Sequence, residues 1–110
     1  MVVSKVQIEC NNIKDWDSFH DEFHRVFGFP EFYGRNMNAW IDCLTYLDDP
    51  ESGMTRIHCE AGQILTVELV NSNSLKNKWP ELFDAIVECS AFVNERRVEA
   101  GESPVFALSY

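Results

Sequence analysis

Short apolar strand patterns alternate with longer helical patterns along this chain of 110 residues. From Val2 to Cys10, apolar and polar residues take turns, which is typical of a strand with one buried face. Two further strand patterns, Met54–Cys59 and Ile64–Val70, flank the turn residues 60–63 and predict a hairpin. A short apolar strand, Val105–Ser109, closes the chain. This alternation restricts the chain to an α/β architecture.

Three helical patterns lie between these strands. The first follows Asp15, a good N-cap residue, and ends at Gly28. The second covers about Asn36 to Leu47, and the third begins at Pro80, a residue favoured at the first helical position. The predicted order is therefore β, α, α, β-hairpin, α, β. Because no internal repeat or linker interrupts it, we expect one domain over residues 1–110.

The charge balance limits the possible partners. Eighteen Asp and Glu against nine Lys and Arg give a formal net charge of −9, which repels nucleic-acid phosphates and anionic lipid surfaces. We therefore expect no nucleic-acid or membrane partner, and a basic protein instead. No segment approaches the roughly 18 to 20 apolar residues that span a bilayer, and no signal-peptide pattern is present. The four Cys residues form no Cys-x-x-Cys pair, which favours reduced thiols and a cytoplasmic protein.

Candidate catalytic groups are few. His20 and His24 are four residues apart on the first predicted helix, a spacing that can hold a metal. Asp21 stands where the zinc-protease motif needs a glutamate, and a third ligand is not obvious, although His58 exists. Cys59 follows His58 in a predicted strand, where adjacent side chains point to opposite faces. We expect no enzyme and no cofactor, with a metal-dependent enzyme that uses the two helical histidines as an alternative.

The segment from Pro30 to Leu44 combines an aromatic turn with the start of the second helix. In the turn, Gly34 is expected to take a positive φ. Phe32 and the tyrosine after it offer rigid contact area at low entropic cost. Asn38 and Asp42, one helical turn apart, can accept hydrogen bonds from cationic donors. The segment is either a recognition surface or an aromatic loop that packs on its own core while Asp42 is only solvated.

This segment resembles the motif of the barstar family, the intracellular inhibitors of secreted bacterial ribonucleases. The motif is Pro-Glu-aromatic-Tyr-Gly-x-Asn-x-x-Ala-x-x-Asp-Cys-Leu, and the matching residues are Pro30, Glu31, Phe32, Tyr33, Gly34, Asn36, Ala39, Asp42, Cys43 and Leu44. The first strand and helix, a later long helix and a terminal apolar strand also follow the family order. The resemblance implies a small parallel sheet of about three strands with helices packed on it. The additional hairpin is similar to a larger subgroup associated with toxin immunity.

The resemblance also implies a function. In the family, the second helix and the loop before it block the ribonuclease active site, and acidic side chains take the place of substrate phosphates. This implies a partner-binding surface formed by Phe32, Gly34, Asn36, Met37, Asn38, Ile41, Asp42, Thr45 and Asp49. The implied partner is a basic protein toxin, a ribonuclease, and Glu95 or Glu99 is a candidate for a further acidic contact. The alternative is a protein-binding regulator with the same fold whose partner is not a nuclease.

Three positions depart from the best-known member of the family. Arg35 stands where that protein has an acid, Asn38 where it has an aspartate, and Ile41 where it has a large aromatic residue. With fewer acidic groups to mimic phosphate, the surface predicts a target other than barnase itself. The net charge is then better suited to long-range attraction than to direct contact.

Overall fold

A computed structural model describes the whole chain, residues 1–110, as a three-stranded sheet with four α-helices packed on it. The main elements are β1 (Lys5–Glu9), α1 (Trp16–Phe27), α2 (Met37–Thr45), β2 (Leu65–Val70), α3 (Ser72–Lys78), α4 (Pro80–Glu99) and β3 (Phe106–Ser109). All strands are parallel, in the order β1-β2-β3, and pairs of helices make the crossovers that parallel strands require. The predicted α/β class and parallel sheet are confirmed. None of the four helices is long and apolar enough to span a membrane.

β2 is the central strand of the sheet. Its alternate residues Leu65, Val67 and Leu69 are buried, while the residues between them are half-buried. One edge of β2 pairs with the five residues of β1, and the other edge pairs with the four residues of β3. Both edges of β2 are thus paired with a neighbouring strand of the fold.

The predicted hairpin is wrong, because Met54–Cys59 forms no strand beside β2. Both edges of β2 already bond to β1 and β3, so no free edge remains for an antiparallel partner. His58 instead makes an isolated parallel bridge with Val2. The Val3 N–H donates to the His58 carbonyl at 2.8 Å, and the His58 N–H donates to the Met1 carbonyl at 2.8 Å. The segment is therefore a loop held by the first residues of the chain.

Both ends of α1 lie where the sequence predicts them. The Asp15 carboxylate accepts from the Ser18 N–H at 2.8 Å, and the Ser18 hydroxyl accepts from the Asp15 N–H at 3.0 Å, which forms a capping box. Gly28 ends the helix with a φ of 68°. A Cβ at this position would also lie 2.7 Å from Cγ of Arg56, so both backbone conformation and space require glycine.

The structure differs from the predicted helices in two places. α2 ends at Thr45 instead of Leu47, and the Thr45 carbonyl, one of the acceptors left unpaired at the helix end, accepts a 2.7 Å hydrogen bond from Nη1 of Arg97. α3 was not predicted from the sequence. Its seven residues bury a single side chain, Leu75, so they show no apolar period.

An aromatic cluster holds the inner side of α2 against α1 and the sheet. Phe19 and Phe23 of α1 lie 4.9 Å apart between ring centroids. Trp40 of α2 meets Phe23 edge-on at 5.4 Å and Phe106 of β3 at 6.2 Å. These rings belong to one continuous core, in which three of the four free cysteines are also buried. Packing of this kind determines which side of α2 faces outward.

Arg97 connects α4 to the end of α2 and is only 5% exposed. Its guanidinium donates to the Thr45 carbonyl at 2.7 Å and to the two oxygens of Asp48 at 3.0 and 2.7 Å. Nε donates to the Ser103 carbonyl at 2.7 Å, and a Glu102 oxygen lies 3.3 Å from Nη2. Because the guanidinium is planar and makes several bonds at once, it fixes both distance and orientation.

The loop between α1 and α2 is attached to α1 through His20 and Tyr33. His20 is buried, and its Nδ1 lies 2.5 Å from the Tyr33 hydroxyl. Burial lowers the pKa of His20, and the positive charge of Arg35 lowers it further, against the opposite influence of Asp17 and Asp21. A neutral ring can accept the Tyr33 hydroxyl hydrogen at Nδ1, whereas an imidazolium cannot.

Replacing Arg97 with Met should strongly destabilise the fold, because Asp48 would keep its charge without a partner. The Asp48 side chain is only 19% exposed. Breaking a buried ion pair typically costs about 3–5 kcal/mol of folding stability. We expect the free energy of unfolding to fall by about 3 kcal/mol, near the lower end of that range. Urea unfolding followed by tryptophan fluorescence measures it, since Trp40 is buried in the folded state. Arg96→Met is the matched control, because Arg96 pairs at the surface and should lose less than about 1 kcal/mol. Equal losses in the two variants would contradict this account.

His20 should make the protein less stable as the pH falls below about 6.5. The unfolded chain binds a proton at the ordinary imidazole pKa of 6.5, whereas the folded protein keeps His20 neutral to a lower pH. Below that value the unfolded state holds more protons and is favoured. Free energies of unfolding measured from about pH 7.5 to 5.5 should fall, and His20→Gln should flatten that slope. His24→Gln, at an exposed position of the same helix, should retain it. An unchanged slope in His20→Gln would assign the effect elsewhere.

Candidate partner-binding surface

The nine predicted contact residues lie in the loop before α2, on α2 and in the turn after it. Ile41 is buried, with 8% exposure, and contributes to the core. The other eight are exposed or half-buried and are called the α2 surface: Phe32, Gly34, Asn36, Met37, Asn38, Asp42, Thr45 and Asp49. The opposite side of α2 is buried, with Trp40, Cys43 and Leu44 in the core.

A shallow depression lies between the loop and α2. It is lined by Phe32, Tyr33, Gly34, Asn36, Ala39, Asp42, Cys43 and Met54. Phe32 is 76% exposed, so most of its ring lies in solvent. Met54 reaches the depression from the loop after α2. No sequence signal identified it, because the pattern placed it in a strand.

The positive φ in the loop belongs to Arg35, at 52°, and not to Gly34. The prediction for Gly34 is therefore wrong, although a Cβ there would lie only 3.1 Å from Nδ2 of Asn36. Arg35 is held in the left-handed region by α1: its guanidinium lies 3.1 Å from the Asp21 carboxylate and donates to the Asp17 carbonyl at 2.9 Å. Left-handed backbone costs a non-glycine residue about 1–2 kcal/mol, which these contacts offset. They also turn the Arg35 charge towards α1.

Three polar members of the α2 surface bond to backbone groups of the chain. Asn36 caps α2, since its Oδ1 accepts from the Ala39 N–H at 2.8 Å. The Thr45 hydroxyl donates to the Ile41 carbonyl at 2.7 Å, and the Asp49 carboxylate accepts from the Glu51 N–H at 3.2 Å. These three side chains therefore shape the surface. Asn38 and Asp42 are the polar side chains of α2 that project into solvent.

Asp42 pairs with Arg96 of α4 across the edge of the surface. Oδ1 of Asp42 accepts from Nη1 of Arg96 at 2.9 Å, and the two side chains are 52% and 40% exposed. Arg96 and Arg97 are adjacent on α4 but have different roles: Arg97 is buried, whereas Arg96 faces Asp42. Beneath Asp42, burial raises the pKa of the Cys43 thiol to about 11, with a smaller contribution from the Asp42 charge.

The residues considered for catalysis are separated or already engaged. His20 is buried against Tyr33, whereas His24 is exposed beside Phe29. No group of three or more His, Cys, Asp or Glu side chains is placed to hold a metal ion. The residues that the sequence placed near each other, His58 and Cys59, contact different groups, since Sγ of Cys59 lies 3.9 Å from the Val105 carbonyl. The geometry thus gives the metal-enzyme alternative no ligand set.

Comparisons with known proteins agree with this architecture. The family described as "Barstar (barnase inhibitor)" matches residues 3–109, which is nearly the whole chain. A protein of Bacillus subtilis (strain 168) with the name "Putative ribonuclease inhibitor YrdF" is 37% identical over 41 residues. These residues are 37% of this chain and 45% of that relative, so the match spans less than half of the relative's length. Together with the parallel sheet and the motif before and on α2, the match over residues 3–109 shows that the chain belongs to the barstar family.

Proposed function

We propose that this protein is an immunity protein that binds a basic bacterial ribonuclease toxin in the cytoplasm and blocks its active site through the α2 surface. Family membership and the name of the Bacillus relative support an inhibitory, non-enzymatic role. The observation that carries the proposal is the position of Phe32 and Asp42, an exposed aromatic ring and a carboxylate on the lining of one depression. An apolar anchor beside an acidic group is a typical arrangement for binding a basic protein.

The chemistry of a ribonuclease cleft explains why this surface suits it. A cleft that holds RNA phosphates carries cationic donors, and a carboxylate can accept their hydrogen bonds in place of a phosphate oxygen. Asp42 supplies that carboxylate on a rigid helix, and Asn38 adds an uncharged hydrogen-bonding group one turn earlier. Phe32 offers a ring that loses little entropy on binding. Asn36 acts indirectly, because its side chain fixes the start of α2.

A protein-binding regulator with a partner other than a nuclease is the second candidate. The Asp42–Arg96 pair favours it, because the pair leaves the α2 surface less acidic than a phosphate mimic needs. Capture of a partner from cells with the immobilised protein, followed by an RNA-cleavage assay of the released partner, separates the two functions. A nuclease activity that returns on dissociation supports the inhibitor. A captured protein without such activity supports the regulator.

Asp42→Ala should weaken the complex with a captured ribonuclease by about 2–5 kcal/mol, because a cationic donor of the partner would be buried without its carboxylate. The free protein should keep its stability within about 1 kcal/mol, since the Asp42–Arg96 pair is exposed. Titration calorimetry measures the affinity, and urea unfolding measures the stability. Asp84→Ala is the matched control, because it removes an exposed carboxylate that lies on α4 and not on α2. Equal affinities of the Asp42 and Asp84 variants would remove Asp42 from the interface.

Phe32→Ala should reduce binding by about 2 kcal/mol or more if the ring is an interface anchor. The fold should hardly change, because three quarters of this side chain is in solvent, at 76% exposure. Inhibition of RNA cleavage by the variant, measured against the captured ribonuclease, gives the change in affinity. Ile64→Ala removes another exposed apolar side chain, away from α2, and should inhibit as well as the original protein. A fully active Phe32 variant would place the ring outside the contact.

A further inference from the structure

We propose that Arg96 is a specificity-determining residue that excludes ribonucleases whose active-site clefts are uniformly cationic. This inference rests on the proposed function and concerns the same α2 surface. Its basis is the arrangement of three charges around the depression: Asp42 on α2, Arg96 on α4 and Arg35 in the loop.

Of the two arginines, Arg35 and Arg96, only Arg96 contacts Asp42. Arg35 is turned to α1, where it pairs with Asp21 at 3.1 Å and Asp17 at 3.6 Å. Its charge is therefore balanced away from the depression. Arg96 points the other way and contacts Asp42 itself at 2.9 Å. Asp42, the carboxylate that lines the depression, is thus in contact with one guanidinium, that of Arg96.

The backbone of Arg96 has little freedom to leave this position. The next residue, Arg97, is locked to the Thr45 carbonyl and to Asp48, so α4 lies fixed beside the end of α2. A long side chain on α4 can move by rotation about its own bonds, and Glu99, one turn further along the helix, is another acceptor within its reach. Neither position removes the positive charge from the rim of the surface.

A bound partner would cover these groups and remove their water. In solvent, the exposed Asp42–Arg96 pair contributes little free energy. A cationic side chain of the partner can therefore replace Arg96 on Asp42. Once the surface is covered, however, the displaced guanidinium stays at the rim beside Glu99 and still faces the partner, where a like charge opposite it is costly. A uniformly cationic cleft offers only like charge. A partner that binds well must therefore place a carboxylate beside the cation that reaches Asp42.

Barnase is a suitable probe, because the family description names it as the target of barstar. Titration calorimetry with barnase should give an affinity about tenfold higher for Arg96→Ala than for the original protein, because Asp42 is released and a like charge is removed. Arg96→Glu should bind at least about a hundredfold more tightly than the original protein, since it replaces repulsion with attraction. If neither variant binds barnase more tightly, the inference is overturned.

Lys76→Glu is the control for net charge. Lys76 lies on α3 against Phe83 of α4, at 5.6 Å from its ring, and Phe83 is thirteen residues before Arg96 on the same helix. That separation is about 20 Å along the helix axis. The variant should change the affinity by less than about threefold, because only long-range attraction is altered. A gain equal to that of Arg96→Glu would assign the effect to total charge and overturn the inference.

Combining Arg96→Ala with Asp42→Ala separates this inference from the proposed function. Loss of the gained affinity in the double variant shows that barnase binds through Asp42, as both proposals require. If the double variant retains the gain, barnase does not bind through Asp42, and the account of Arg96 as a filter on that contact is overturned. The proposed function is tested independently by the nuclease activity of the captured partner. A captured protein without that activity would overturn the proposed function, whatever the Arg96 variants do to barnase.

Discussion

The buried guanidinium of Arg97 determines how α4 lies against the end of α2. A planar group that bonds the Thr45 carbonyl and both oxygens of Asp48 leaves few ways to place the two helices. The same guanidinium bonds the last carbonyl of α2, which the helix itself leaves unpaired. Consecutive residues on a helix point about 100° apart, so burial of Arg97 brings Arg96 to the rim, above Asp42. A structural ion pair thus sets the charge of a surface in which it takes no part.

The central strand imposes a second constraint on that surface. Because β1 and β3 occupy both edges of β2, the apolar residues of Met54–Cys59 cannot pair with β2. They form a loop that is fixed at His58 by backbone bonds to the start of the chain. From this loop Met54 reaches the depression beside Phe32. A segment that does not join the sheet therefore supplies an apolar side chain, Met54, to the depression. Methionine is well suited to this position because its side chain is flexible.

Local signals made much of the fold predictable from the sequence. Asp15 and Gly28 mark the ends of α1 by capping chemistry, and Trp40 lies inside because the apolar period of α2 is strong. The absence of the hairpin was not predictable in this way, because the occupation of both β2 edges is a property of the whole sheet. α3 was equally hidden, since only Leu75 in it is buried. The motif predicted that the α2 surface binds the partner. The pattern alone could not show that Asp42 is paired, because its partner, Arg96, lies on a helix 54 residues further along the chain.

The net charge of −9 and the local charges at the α2 surface act over different distances. Attraction between whole molecules depends on total charge and is screened beyond about 8 Å at physiological ionic strength. It draws any basic protein towards this one, without regard to the shape of its cleft. Selection must then occur at contact, where Asp42 and Arg96 lie 2.9 Å apart and each requires its own complement. With the proposed contact surface, an acidic protein of this kind can therefore associate quickly with many basic proteins and still retain only the one whose charges match Asp42 and Arg96.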